Sequence, residues 1–290
     1  ALAKTLKTEQ IKGLQRQAEE DTVGGDIRAY NTKHGKLPKK RQHFFDITGY
    51  FILKDLLTCK QVNNAKNSLD KVNHSAHSQI QIEQLNPQEL TLFNIIEVGG
   101  AVEDAMANKR LVRYIQPLIW GTQYRLVSSQ GKIRKPASND EQLSQGGQAD
   151  TRRFTGYRCG PGGEFRSLLI TVLIALSDTS SEEGCLCLIP GSHKSNLPHP
   201  YINKDLDDIP PLCKLPLTAG SAVIFTENIS HAMKSPKEQT HHWLKFQYGP
   251  SYFVNFPKCT PSQSLLKRTA NDPVKSHLLL PPYYHPEGSQ

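Results

Sequence analysis

The spacing of apolar positions changes twice along the chain. Through the first 45 residues they are sparse and interrupted by Gly24, Gly25 and Pro38, which predicts a short helix followed by an extended polar arm. At Gly49 the texture switches to GYFILKDLL, whose apolar, aromatic and β-branched residues suit a strand. TCKQ follows, with Thr58 placed to cap a helix and Gln61 to reach back to it, the pattern of a capping box. Val62, Ala65, Leu69 and Val72 then recur at helical spacing, so one face of that helix is expected to be buried. A second helical zone, broken at Gly99 and Gly100, continues through Leu111, Ile115 and Leu118, and both helices are expected on the outside of a sheet.

After Trp120 short apolar runs alternate with loops rich in Gly, Pro, Ser and Asp. The runs predict strands over 122–127, 168–176, 185–189, 221–226 and 243–248. Many short strands with turn signals between them indicate a sandwich or barrel, not alternating βα units. The longest run, LLITVLIAL at 168–176, has the length of a buried strand and falls well short of the roughly 18 apolar residues that cross a membrane. The chain therefore reads as a polar basic arm over 1–45 and a single domain over 46–290, closed by an irregular strap around Pro281, Pro282, Tyr283 and Tyr284.

Composition sharpens this in two places. The 290 residues carry 35 Lys/Arg against 27 Asp/Glu, a net +8, and residues 1–43 hold ten of the basic groups against five acidic ones. The densest cluster, Lys39, Lys40 and Arg41, is expected to be a solvated face or loose arm. A nucleic-acid binder working through this arm is the third functional class to weigh, but no interleaved aromatics or known binding module accompany the charge, which speaks against it. The six cysteines are scattered; Cys185 and Cys187 alternate in a strand at a spacing that suits neither a zinc knuckle nor a redox CxxC. Free thiols in a reducing, cytoplasmic compartment are expected, and the first seventeen residues lack the apolar core of a secretory signal.

The segment ITVLIALSDTSSEEGCLCLIPGSHKSN resembles the central part of the phytanoyl-CoA dioxygenase family, in which an apolar strand ends in an Asp-containing turn, then an acidic-Gly step, then a strand and PGSHK. GYFILKDLLTCKQVNNAKNSLDKV is similar to the family's N-terminal entry, and LTAGSAVIFTENISHAM to its Gly-containing strand leading to a metal-binding histidine, so the resemblance spans roughly 48–250. It implies a mainly β fold with flanking α-helices: a double-stranded β-helix, or cupin-like jelly-roll, whose mouth holds Fe(II) and 2-oxoglutarate and acts on a small-molecule or acyl substrate. Two His and one carboxylate occupy one face of such an iron, and an adjacent cation anchors the far carboxylate of 2-oxoglutarate.

The resemblance assigns His231 to the distal metal position. Upstream, where the family carries His-x-Asp or His-Gly-Gly, this chain reads SQGGQAD, leaving Gln145, Gln148 and Asp150 as the metal-site candidates. Either register puts a glutamine where an imidazole is expected, and an amide oxygen is a weak ligand for ferrous iron. The family's anchoring arginine is replaced by His241 and His242 in THHWLKFQY; a neutral imidazole holds an anion poorly. His242, Lys245 and Arg158 are the candidates for holding the co-substrate. Strand alternation puts Lys245 in phase with Trp243 and Gln247 and opposite His242, Leu244 and Phe246, and only one of these faces can point into the barrel. Glu227 is either a solvated strand-end acid or an inward group beside His231. His193, in the PGSHK turn, is expected to brace that turn or line the mouth, not to bind metal. Two functions follow: an Fe(II)/2-oxoglutarate-dependent oxygenase with an unusual ligand set, or a catalytically silent relative that binds or scaffolds through the same pocket.

Overall fold

The computed structural model describes residues 37–74, 77–119, 123–144, 156–160 and 164–282. Ten strands are described: β1 (Tyr50–Leu53), β2 (Gln81–Asn86), β3 (Glu89–Phe93), β4 (Tyr124–Arg134), β5 (Ile170–Ala175), β6 (Leu186–Leu188), β7 (Cys213–Leu215), β8 (Ala222–Thr226), β9 (His231–Met233) and β10 (His241–Pro250). They form a large sheet in the order β1-β8-β5-β10-β4-β3-β2 and a small one in the order β7-β6-β9. The pairings between these ten strands are antiparallel, the two-sheet jelly-roll that the resemblance implied.

The helices are α1 (Lys39–Thr48), α2 (Cys59–His74), α3 (Gly100–Met106), α4 (Lys109–Ile115), α5 (Gln263–Thr269) and α6 (Pro273–Leu278). The capping box at the start of α2 forms: the Thr58 N–H donates to Gln61 Oε1 at 2.9 Å and the Gln61 N–H to Thr58 Oγ1 at 3.3 Å. The four periodic residues Val62, Ala65, Leu69 and Val72 are all buried. This face packs on the outside of the large sheet, where Gly131 of β4 leaves room; a Cβ there would lie 3.1 Å from Leu69 and 3.2 Å from Ile95.

Three expectations from the sequence are corrected. The Lys39-Lys40-Arg41 run is not wholly solvated. Helix α1 carries it across residue 45, and Arg41 is 1% exposed, its guanidinium 5.0 Å from the Phe51 ring centre and 4.6 Å from that of Tyr114. Strands β2 and β3 precede the second helical zone where none was expected; QIEQLN exposes most of its residues at the sheet edge and so lacks an apolar signature. The three-residue strand β7 is likewise an addition to the expected set.

Register decides which side chains meet inside. Lys245 of β10 lies opposite Gln130 of β4 and Leu173 of β5, and Gln247 lies opposite Ser128 and Thr171. Residues directly opposite share a face, so these positions form two polar rows across β4, β10 and β5. On β8 the same rows end in Val223 and Phe225. The small sheet closes over them with His231 opposite Leu188 and Met233 opposite Leu186. Its outer residues Cys185, Cys187 and Ala232 form a separate apolar cluster with Leu206 and Ile209.

Candidate active site

The mouth is built where β8 ends and β9 begins. Beyond Thr226 the chain turns tightly, with the Ile229 N–H donating to the Thr226 carbonyl at 3.0 Å. This turn brings Glu227 and His231 to the same side, their closest atoms 3.8 Å apart. Glu227 is therefore an inward group, not a solvated strand-end acid.

His231 is held in one orientation. Its Nδ1 lies 2.9 Å from the Ile229 carbonyl, and a carbonyl only accepts, so Nδ1 carries a hydrogen and the ring is turned with Nε2 toward the interior. Nε2 is the atom nearest Glu227, and the ring leans on Phe225 with centroids 4.9 Å apart. The chain that leads into the SQGGQAD stretch runs directly beside it: Ser144 donates its N–H to the His231 carbonyl at 2.9 Å, and Ser144 Oγ accepts the His231 N–H at 3.0 Å. Gln145, Gln148 and Asp150 lie outside the described residues. Among the described residues no cluster of three or more His, Cys, Asp or Glu side chains surrounds a possible metal position.

Lys245 faces inward. Its Nζ is 3.7 Å from Glu227 Oε1, while Thr171 donates its hydroxyl to Glu227 Oε2 and Gln247 Nε2 donates to Thr171 Oγ1 at 3.4 Å. Burial would raise the Glu227 carboxyl, but Lys245, His231 and the hydrogen bonds from Thr171 and Gln247 hold it below the usual carboxylate range. A second carboxylate lies nearby. Glu141 pairs with Lys132 at 2.7 Å and accepts the Met233 N–H at 3.0 Å. Against the opposing effect of burial, Lys132, Arg134 and Lys245 bring it down to about 2. Trp243, also inward, is fully buried, and its Nε1–H meets no acceptor among the described residues.

The expectation that His242 holds the co-substrate is corrected. Its face of β10 is the outer one, and its Nε2 lies 2.8 Å from Asp70 Oδ1 on helix α2. One residue of alternation separates it from the mouth, so spacing along the sequence pointed to the right strand and the wrong side of it. Arg158 is exposed and lines a cavity of about 570 Å³ together with Asp46, Tyr157, His193 and Lys194. His193 braces its turn as expected: Nε2–H donates to the Asp46 carbonyl at 3.1 Å, and the ring stands edge-on to Tyr157 with centroids 4.5 Å apart. Asn228, on the turn between Glu227 and His231, donates to the His193 carbonyl and so ties this brace to the mouth.

The family model for phytanoyl-CoA dioxygenase (PhyH) matches residues 17–235, and the chain belongs to that family. No curated protein sequence matches it. Among solved structures it is similar to HygX from Streptomyces hygroscopicus with nickel and 2-oxoglutarate bound, at 18% identity and a TM-score of 0.66, over 76% of this chain and 90% of that one. It is also similar to the carbocyclase SnoK of nogalamycin biosynthesis, at 18% identity and a TM-score of 0.53, over 79% and 88% of the two chains. The epimerase SnoN of the same biosynthesis matches at 15% identity and a TM-score of 0.54, over 75% and 84%. At these identities the likeness establishes a shared fold.

Proposed function

We propose, taking membership of that family as the premise, that the chain is a non-haem Fe(II)/2-oxoglutarate-dependent oxygenase acting on a small molecule in the mouth between its two sheets. His231 carries this reading. Its Nδ1–H is committed to a backbone carbonyl, and its Nε2 faces the interior beside a carboxylate and an ammonium. A histidine so fixed is prepared to bind a metal, because the hydrogen bond at one nitrogen sets the tautomer and aim of the other. His231 Nε2 supplies one imidazole. Asp150, Gln145 and Gln148, which follow Ser144, remain the candidates to complete the set. Lys245, Thr171 and Gln247 fit the far carboxylate of 2-oxoglutarate, since they already hold the carboxylate of Glu227.

Iron and 2-oxoglutarate, when bound, would supply the oxidising chemistry. The chain's own part is to hold His231 in one tautomer, to present Lys245 as a fixed cation, and to keep water away with the apolar residues Phe225, Leu173 and Val223. Structures of HygX with nickel, 2-oxoglutarate and hygromycin B, and of SnoN with Fe3+, alpha ketoglutarate and nogalamycin RO, support a small-molecule substrate. The six cysteines, all free, support a reducing, cytoplasmic setting. No helix among the described residues is long and apolar enough to cross a membrane.

A second reading, a catalytically silent binding protein, is favoured by one observation: the carboxylate seat at Lys245 is filled by Glu227. Succinate formation separates the two. Wild-type protein loaded anaerobically with Fe(II) and then given 2-oxoglutarate and O2 should release succinate in an iron-dependent manner, and His231→Ala should not. Iron-loaded, folded wild-type protein that yields no succinate would leave the silent reading standing.

A further inference from the structure

We infer that Glu227 is a built-in competitor for the carboxylate seat of the mouth, so that a dicarboxylate reaches Lys245 only by displacing it. The inference rests on the reading of Lys245 as the co-substrate's cation. The seat consists of the Lys245 ammonium, the Thr171 hydroxyl and, behind that hydroxyl, the Gln247 amide. All three stand on β5 and β10, which pair with each other in the middle of the large sheet. The occupant belongs to a different kind of element. Glu227 lies past the end of β8, its N–H donating to the Leu169 carbonyl at 3.0 Å, on a turn that is not part of the ladder.

The occupant is also a chemical copy of the expected guest. A glutamate side chain ends in CH2–CH2–COO−, the same fragment that ends 2-oxoglutarate, so cation and hydroxyl meet the same atoms in either case. Among the described residues, no other charge takes over this role. Glu141 is engaged by Lys132 and by the Met233 N–H, and His231 already donates from Nδ1 to a carbonyl. Glu227 and Lys245 are partly exposed, at 17% and 19% of their side chains, so the pair can be reached from the mouth. Removing the Glu227 carboxylate leaves a partly buried ammonium without its nearest counter-ion, and such a group draws in an external anion.

The test is calorimetric titration of metal-free protein with glutarate, which has both carboxylates but no 2-oxo group to chelate a metal. Glu227→Ala should bind glutarate at least about tenfold more tightly than wild type, the factor that corresponds to about 1.4 kcal/mol. Glu227→Gln, which keeps the shape and loses the charge, should fall between them. Adding Lys245→Met to Glu227→Ala should abolish the gain. Equal or weaker binding by Glu227→Ala that unfolds near the wild-type temperature would overturn the inference; if that variant does not fold, Glu227→Gln decides by the same criterion. Tighter glutarate binding without any succinate formation would keep the inference and remove the oxygenase reading, and succinate formation without tighter binding would do the reverse.

Discussion

Acid should destabilise this fold through His193, and the size of the effect can be worked from its surroundings. The imidazole is 2% exposed. Nε2–H donates to the Asp46 carbonyl, and Nδ1 has no partner among the described residues. Nδ1 packs against Gly49, whose φ of +82° already favours glycine and where a Cβ would stand 2.6 Å from that nitrogen. A proton on Nδ1 would therefore create a buried N–H without an acceptor. Burial, with the neighbouring Lys194 ammonium, outweighs the attraction of Asp46 and takes the imidazole from 6.5 down to about 4. The unfolded chain thus binds a proton that the folded one refuses between these values, so stability rises with pH across the window and falls as pH drops from 6.5 toward 4. Between pH 7.5 and 5 the loss from this one group is about 2 kcal/mol. Urea unfolding of wild type and His193→Gln at pH 7.5, 6 and 5 measures it as a difference, because His241 and His277 titrate with the same sign in both proteins and cancel. The variant should lose about 2 kcal/mol less than wild type over that interval; parallel losses would refute the assignment of a neutral, buried His193.

Two further substitutions test the packing and the choice of cation. Gly184 has φ +63°, and a Cβ there would run into the His241 ring, so Gly184→Ala should lower stability by more than about 2 kcal/mol in urea unfolding. His242→Gln should leave glutarate affinity unchanged, because that imidazole faces Asp70 on helix α2, and should cost under about 1 kcal/mol, since the Asp70 side chain is 46% exposed and its charge is screened by water. Lys245→Met should weaken the same binding in any background; equal effects from the two variants would mean that both side chains reach the mouth.

Much of the scaffold is legible in the sequence because local patterns and tertiary demands agree there. The capping box at Thr58 and Gln61 and the buried stripe from Val62 to Val72 are written in helical spacing, and LLITVLIAL is the run of a central strand covered on both faces. What could not be read depends on pairing. Alternation in HHWLKFQY divides Lys245 from His242, but only the register of β10 against β4 and β5 says which of the two faces points inward. Glu227 stands beyond the last ladder residue of β8, where a period of two no longer applies, and the turn at Ile229 sets its direction. Arg41 sits in a run that reads as solvated charge, and the rings of Phe51 and Tyr114, which a local pattern does not place beside it, favour its burial. Edge strand β2 exposes Ile82 and Leu85 at 44% and 63%, so its apolar positions follow no buried face that a pattern could reveal.

The account turns on His231 presenting its Nε2 to a metal, and iron uptake measures this most directly. Protein dialysed anaerobically against Fe(II) with 2-oxoglutarate, then analysed for bound metal, should hold one iron per chain as wild type and lose it in His231→Ala, with both proteins folded. Equal iron in the two, or none in wild type, would contradict it.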